Sequence, residues 1–182
     1  AGTSMGFSGA PSYANLFMSK FENDFVFSNE LWLKGLHTYL RFIDDIFVIW
    51  TGTQQDLSLA IADLDSRHTS IRFTHSISNT SLAYLDVLVT RADTGFSTSL
   101  HCKPTDCNNT LHFLSFHPDS LKRHLPFSQF LRVKRITSAT DCVQAELESF
   151  SQRFLARGYS PQVVGSALSR AQAKSRADLF EI

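Results

Sequence analysis

Asp44 and Asp45 are adjacent carboxylates, with Phe42-Ile43 before them and Ile46-Phe47-Val48-Ile49-Trp50 after. Two like charges amid so many apolar neighbours repel each other unless a cation neutralises them. Magnesium suits such a pair, because it takes carboxylate, water and phosphate oxygens. Two such ions can activate an attacking hydroxyl and stabilise the leaving oxygen of a phosphoryl transfer. A plainer reading stands beside this one: Asp is a common turn former, and an exposed hairpin tip uses it for that alone.

Other sets of reactive residues are weaker. Cys102, Cys107, His112 and His117 have the ligand types for zinc, but their even spacing departs from the close pairs of structural zinc sites. No Gly-x-Ser-x-Gly elbow accompanies the scattered Ser, His and Asp residues, which sets aside a hydrolase of that kind.

The elements around the acidic pair follow from periodicity. Tyr39 to Trp50 reads as two β-prone runs flanking a tight turn. Before it, Pro11 suits the first turn of a helix whose inner face carries Ala14, Phe17, Met18, Phe21 and Phe25. After it, Gln54 to Ser66 reads as a helix with Leu57, Ala60, Ile61 and Leu64 inward. Ile71 to Ile77 is predicted as a strand. Leu82 to Arg91 and Phe96 to Cys102 are predicted as a second hairpin around Ala92-Asp93-Thr94-Gly95. Beyond Pro118 the period turns helical. Pro126 is expected to open one helix, and Val143, Leu147, Phe150 and Phe154 to line another. Gly158 stops that helix, and Ser160-Pro161 opens the last. The fold class is therefore α+β, with antiparallel hairpins and helices to residue 118 and a small helical lobe over 119–182.

Charge divides in a similar place. Residues 1–119 hold 7 Lys/Arg against 12 Asp/Glu, and residues 120–182 hold 10 against 5. An acidic front and a basic tail fit a phosphate-rich polymer held near metal ions. Three cysteines are too few for a disulfide framework, so a reducing compartment is expected. No apolar run reaches the roughly 18 residues that cross a bilayer, and no membrane partner is expected. The abrupt opening at Ala1-Gly2-Thr3 reads as a fragment.

Phe42 to Asp45 resembles the aromatic-x-Asp-Asp signature of reverse transcriptases. Gly2-Thr3-x-Met5-Gly6-x-x-x-Ala10-Pro11-x-x-Ala14-Asn15-Leu16-x-Met18 resembles the loop and helix before that signature in Penelope-like retroelements. Leu85-Asp86-Val87, Lys103-Pro104-Thr105-Asp106-x-Asn108 and Ser115-x-His117-Pro118 are similar to later segments of the same family. So are Pro126-x-Ser128-Gln129-x-x-Arg132-x-x-Arg135-Ile136 and Arg157-Gly158-Tyr159.

The resemblance implies a partial polymerase palm over 1–118 and a helical thumb over 119–182. By this likeness Asp44 and Asp45 are the catalytic, metal-bearing carboxylates of an RNA-directed DNA polymerase. Met5, Gly6, Ala10, Pro11 and Asn15 would shape the nucleotide pocket. Ser97 to Lys103 would grip the primer end, and Lys103, Lys122, Arg123, Arg132, Lys134 and Arg135 would contact nucleic acid. Arg132 and Arg135, three apart on one helical face, are the preferred phosphate contacts. The implied partners are an RNA or DNA template with its primer, deoxynucleoside triphosphates and two Mg²⁺ ions. The implied location is the nucleus. The family's third carboxylate and fingers would lie upstream, so the 182-residue chain alone is expected not to polymerise DNA. The alternative is a non-catalytic nucleic-acid-binding remnant or a domesticated element protein.

Overall fold

Pro11 occupies the first turn of helix α1 (Ala10–Glu22), where its missing N–H costs nothing. The computed structural model describes residues 6–103, 105–106 and 109–180. These fold as two compact units, one ending at Ser76 and the other starting at Ile77. Palm and thumb were expected to divide at 118/119, whereas compactness groups residues 77–118 with the helices that follow them.

In the first unit, α1 runs into a π turn, Asn23–Phe27. The extra residue per turn shifts the helical phase. Val26, which the sequence count leaves out, becomes fully buried, while Phe17 of the expected inner face stays 41% exposed. A short helix α2 (Glu30–Leu33) follows, its N-terminus capped by the Asn29 side chain. Strands β1 (Leu36–Phe42) and β2 (Asp45–Trp50) then pair antiparallel. Helix α3 (Gln54–Ser66) has the bounds expected from sequence and is capped by Thr53. Phe21, Val26, Trp32, Ala60 and Leu64 form the core, with Tyr39, Val48 and Trp50 packed on it from the hairpin. Trp32 meets both Tyr39 and Trp50 edge-on.

The strand expected over Ile71 to Ile77 does not form. A strand needs a partner edge, and here the Phe73 N–H is taken by the Asp65 carboxylate at 2.8 Å. Arg72 meanwhile bonds the carbonyls of Asp65 and His68.

The second unit opens with a three-stranded meander, β3 (Ser81–Tyr84), β4 (Val87–Ala92) and β5 (Gly95–Leu100). The run expected as one strand from Leu82 to Arg91 is therefore cut in two at Leu85-Asp86. Helices α4 (Asp119–Ile136), α5 (Thr140–Ala156) and α6 (Pro161–Gln172) follow. Pro126 does not open a helix; it lies buried inside α4, where it removes the helical donor to the Lys122 carbonyl. Phe130, Val133, Leu147, Phe154, Val164 and Ala171 anchor the three-helix core. The sheet is tied to the helices through Thr98, whose N–H and carbonyl both bond Ser138 and whose hydroxyl bonds the Ile136 carbonyl.

Candidate functional site

Phe42 pairs with Asp45, so β1 and β2 are joined by only two residues, Ile43 and Asp44. Turns this tight favour Asn-Gly or a leading Gly, because the first position needs φ > 0. Ile43 takes that position with φ +56°. For a β-branched residue this is a true outlier, costing of order 1–3 kcal/mol. The result is an acidic pair at a hairpin tip.

The expectation that burial compresses this pair is corrected. Asp44 and Asp45 are exposed, and so are Phe42 and Ile43, at 56% and 50%. A two-residue hairpin projects its turn away from the core, whatever the polarity of the flanking residues. The signal at this site is therefore backbone strain, not desolvation.

One side chain reaches back from the turn. Arg41 Nε donates to Glu22 Oε1 of α1 at 2.5 Å. Its Nη1 donates to Asn15 Oδ1 and to the Ile43 carbonyl, both at 2.9 Å. Tyr39 adds its hydroxyl to Glu22 Oε1 at 3.0 Å. The ion pair is nearly enclosed, with the Arg41 side chain 12% and the Glu22 side chain 8% exposed. Arg41 and Glu22 were missed in the sequence as site residues. The available signal was Glu22 itself, a carboxylate four residues after Met18 on an apolar stripe, which must find a cation if buried.

Asn15 is thus brought next to the acidic tip through Arg41. Gly6 is exposed with φ +90°, Ala10 is half-buried and Pro11 exposed at the start of α1. Met5 lies outside the described residues.

A second turn repeats the pattern. Tyr84 pairs with Val87, leaving Leu85 and Asp86, and Leu85 has φ +55°. Here the carboxylate is consumed: Arg132 of α4 donates Nε and Nη2 to Asp86 Oδ2. Arg132, expected to face phosphates, is held by an internal carboxylate and by Gln129.

The other expected nucleic-acid contacts divide into two groups. Lys134 Nζ donates to the carbonyls of Ala171, Gln172 and Lys174, which closes the end of α6. Lys122 is buried, bonding Asp119 and the Ser115 carbonyl beneath the Phe113 ring. That bond holds the Asp119 carboxyl below the usual range. Arg135 is exposed and bonds the Leu179 carbonyl through Nε. Lys103 and Arg123 are exposed. Arg153 pairs with Asp106 at 2.8 Å, and this hydrogen bond raises its already high pKa.

Helices α5 and α6 are joined by four residues, Arg157 to Ser160. Gly158 takes φ +80°, the left-handed residue that ends α5. Ser160 then accepts the Val163 N–H and caps α6. Two helices joined by a short glycine-bearing turn form a helix-turn-helix unit. Residues 109–168, spanning α4, α5 and most of α6, match the Animal helix-turn-helix domain. No curated protein and no solved structure matches the chain.

Among the described residues, no third His, Cys, Asp or Glu joins Asp44 and Asp45 in a metal-binding cluster. The pair still fits part of a magnesium shell, which is usually one or two carboxylates completed by substrate phosphates and water. Of the four residues of the zinc reading, Cys107 lies outside the described residues, and His112 Nδ1 accepts the Leu114 N–H. Among the described residues no helix is long and apolar enough to cross a membrane.

Proposed function

We propose that this chain is the nucleic-acid-handling part of a retroelement reverse transcriptase of the Penelope-like kind. Asp44 and Asp45 would supply metal-bearing carboxylates, and helices α4 to α6 would hold paired strands. The observation that carries the reading is the hairpin tip: two acids presented on a turn whose first residue is held left-handed at a cost. The helix-turn-helix match over residues 109–168 supports the nucleic-acid role.

Asp44 and Asp45 would each offer oxygens to Mg²⁺, with Asp44, in the turn itself, the more direct ligand. Bound magnesium would activate the primer hydroxyl and stabilise the leaving oxygen. Asn15, fixed by Arg41 beside the tip, would face the incoming nucleotide. Lys103 and Arg123 offer charge for backbone phosphates, a sequence-independent and salt-sensitive contribution.

A second reading keeps the binding without the chemistry. The exposure of both acids and the lack of a third ligand among the described residues favour it. Asp44→Asn and Asp45→Asn separate the two readings, in a polypeptide carrying this chain together with the upstream palm and fingers that the resemblance implies. Lost primer extension with retained duplex binding is the result expected for the polymerase. Extension that survives both substitutions overturns it.

A further inference from the structure

We infer that Phe116, with Leu114 beside it, is a stacking platform for an unpaired base at the end of the duplex that the helical unit holds. The inference rests on the nucleic-acid reading above and adds a contact that senses strand structure instead of phosphate charge. Leu114 is 84% exposed and Phe116 fully exposed. A lone exposed apolar side chain needs no explanation. Here two of them stand outward on a loop whose backbone is pinned. The Phe113 N–H donates to the Arg157 carbonyl at 2.9 Å, and the Leu114 N–H to His112 Nδ1 at 3.1 Å. The Ser115 and His117 N–H groups donate to the His112 and Ser115 carbonyls. Lys122 Nζ, from the first turn of α4, also donates to the Ser115 carbonyl. Burial alternates along the segment, with Phe113 and Ser115 half-buried and Leu114 and Phe116 outward. Phe113 meets Tyr159 of the α5–α6 turn edge-on, with ring centres 5.1 Å apart.

The surroundings favour an occupant that is both anionic and aromatic. Residues 112–124 carry Lys122, Arg123 and three histidines against one acid, Asp119, whose carboxylate Lys122 already holds. Arg157, whose carbonyl anchors Phe113, adds a cation at the α5–α6 turn, inside the stretch that matches a helix-turn-helix domain. A polyanion is drawn to such a rim. Two side chains are too few for a stable protein interface, which needs about 800 Å² on each partner. A nucleic acid also supplies the flat π-face that an aromatic ring takes. Bases inside a duplex already stack on one another, and separating them is costly. An unpaired base beside the duplex end has a face to offer without that cost. Phe116 covers the face, and Leu114 its edge.

The test measures binding of the full chain to two labelled probes by fluorescence anisotropy: a blunt duplex, and the same duplex with a single-stranded overhang. The native chain should bind the overhang probe more tightly. Phe116→Ala should weaken that probe by about 5- to 150-fold, the range for a base stacked on an aromatic ring, and leave the blunt duplex unchanged. Leu114→Ala should cost less. Phe116→Trp should keep the preference, whereas Phe116→Leu, apolar but without a ring, should lose it. The slope of log affinity against log salt should be the same in all four variants, because a ring releases no counterions. Melting temperatures should not fall, since both side chains are already exposed. Overhang binding that survives Phe116→Ala, equal loss on both probes, or full rescue by Phe116→Leu overturns the inference and leaves the nucleic-acid reading standing. A native chain that binds neither probe sinks that reading, and the inference with it. Phe116-dependent binding to phosphatidylserine vesicles, or a Phe116-dependent dimer, without an overhang preference assigns the loop to a membrane or a second copy and also overturns the inference.

Discussion

Arg132 of α4 donates both Nε and Nη2 to a single oxygen of Asp86, in the turn between β3 and β4. The two residues are 46 positions apart, so the pair fastens the small sheet to the helices that follow it. It explains why residues 77–118 belong with the helical unit. It also redirects Arg132, expected from its helical face to meet phosphates, toward an internal anchor.

Both side chains of this pair are about two-fifths exposed, at 42% and 43%. Solvent therefore screens much of their attraction. A double-mutant cycle over Asp86→Ala and Arg132→Ala should give a coupling of about 0.5–1 kcal/mol. Thermal unfolding at two salt concentrations checks it, and the coupling should shrink as salt rises.

The cations of the helical unit should respond in two ways. Lys103→Ala and Arg123→Ala should each reduce the slope of log affinity for duplex against log salt by about 0.9, with little change in stability. Lys134→Ala should leave that slope unchanged and lower the melting temperature, since its ammonium closes the end of α6. Fluorescence anisotropy over a salt series, beside melting curves, separates the two classes.

Much of this architecture was legible in the sequence, and the misses have physical causes. Gly158 and Ser160 are strong local signals, and α5 stops and α6 starts where those residues say. The break at Leu85-Asp86 was hidden because a two-residue turn normally announces itself with Gly or Asn, and neither is present. Asp86 is held by a partner 46 positions away, which no local window reveals. Pro126 marks a start in most helices, but here the chain was already helical from Asp119. The acidic pair was legible as a pair. Its place at an exposed hairpin tip was one of two readings, and apolar neighbours in sequence could not decide between them.

Tyr159 offers a test of the helical core. It is 2% exposed, and its hydroxyl has no hydrogen-bond partner among the described residues. Burial raises its pKa above the ordinary phenol value. The folded state thus disfavours the phenolate, so its contribution is fully present below about pH 10 and is lost as pH rises through the folded value. Tyr159→Phe should abolish this alkaline loss and, by deleting an unsatisfied hydroxyl, stabilise by up to about 1 kcal/mol. Urea unfolding followed from pH 8 to 11 measures both.

The most direct test of the central claim combines metal and nucleic acid. The chain is bound to a primer–template duplex and titrated with Mn²⁺ while backbone amide signals are followed. The account predicts broadening centred on Ile43 to Ile46, strengthened by duplex and lost in an Asp44→Asn, Asp45→Asn variant that still binds duplex. Broadening elsewhere, or an identical response from that variant, would contradict it.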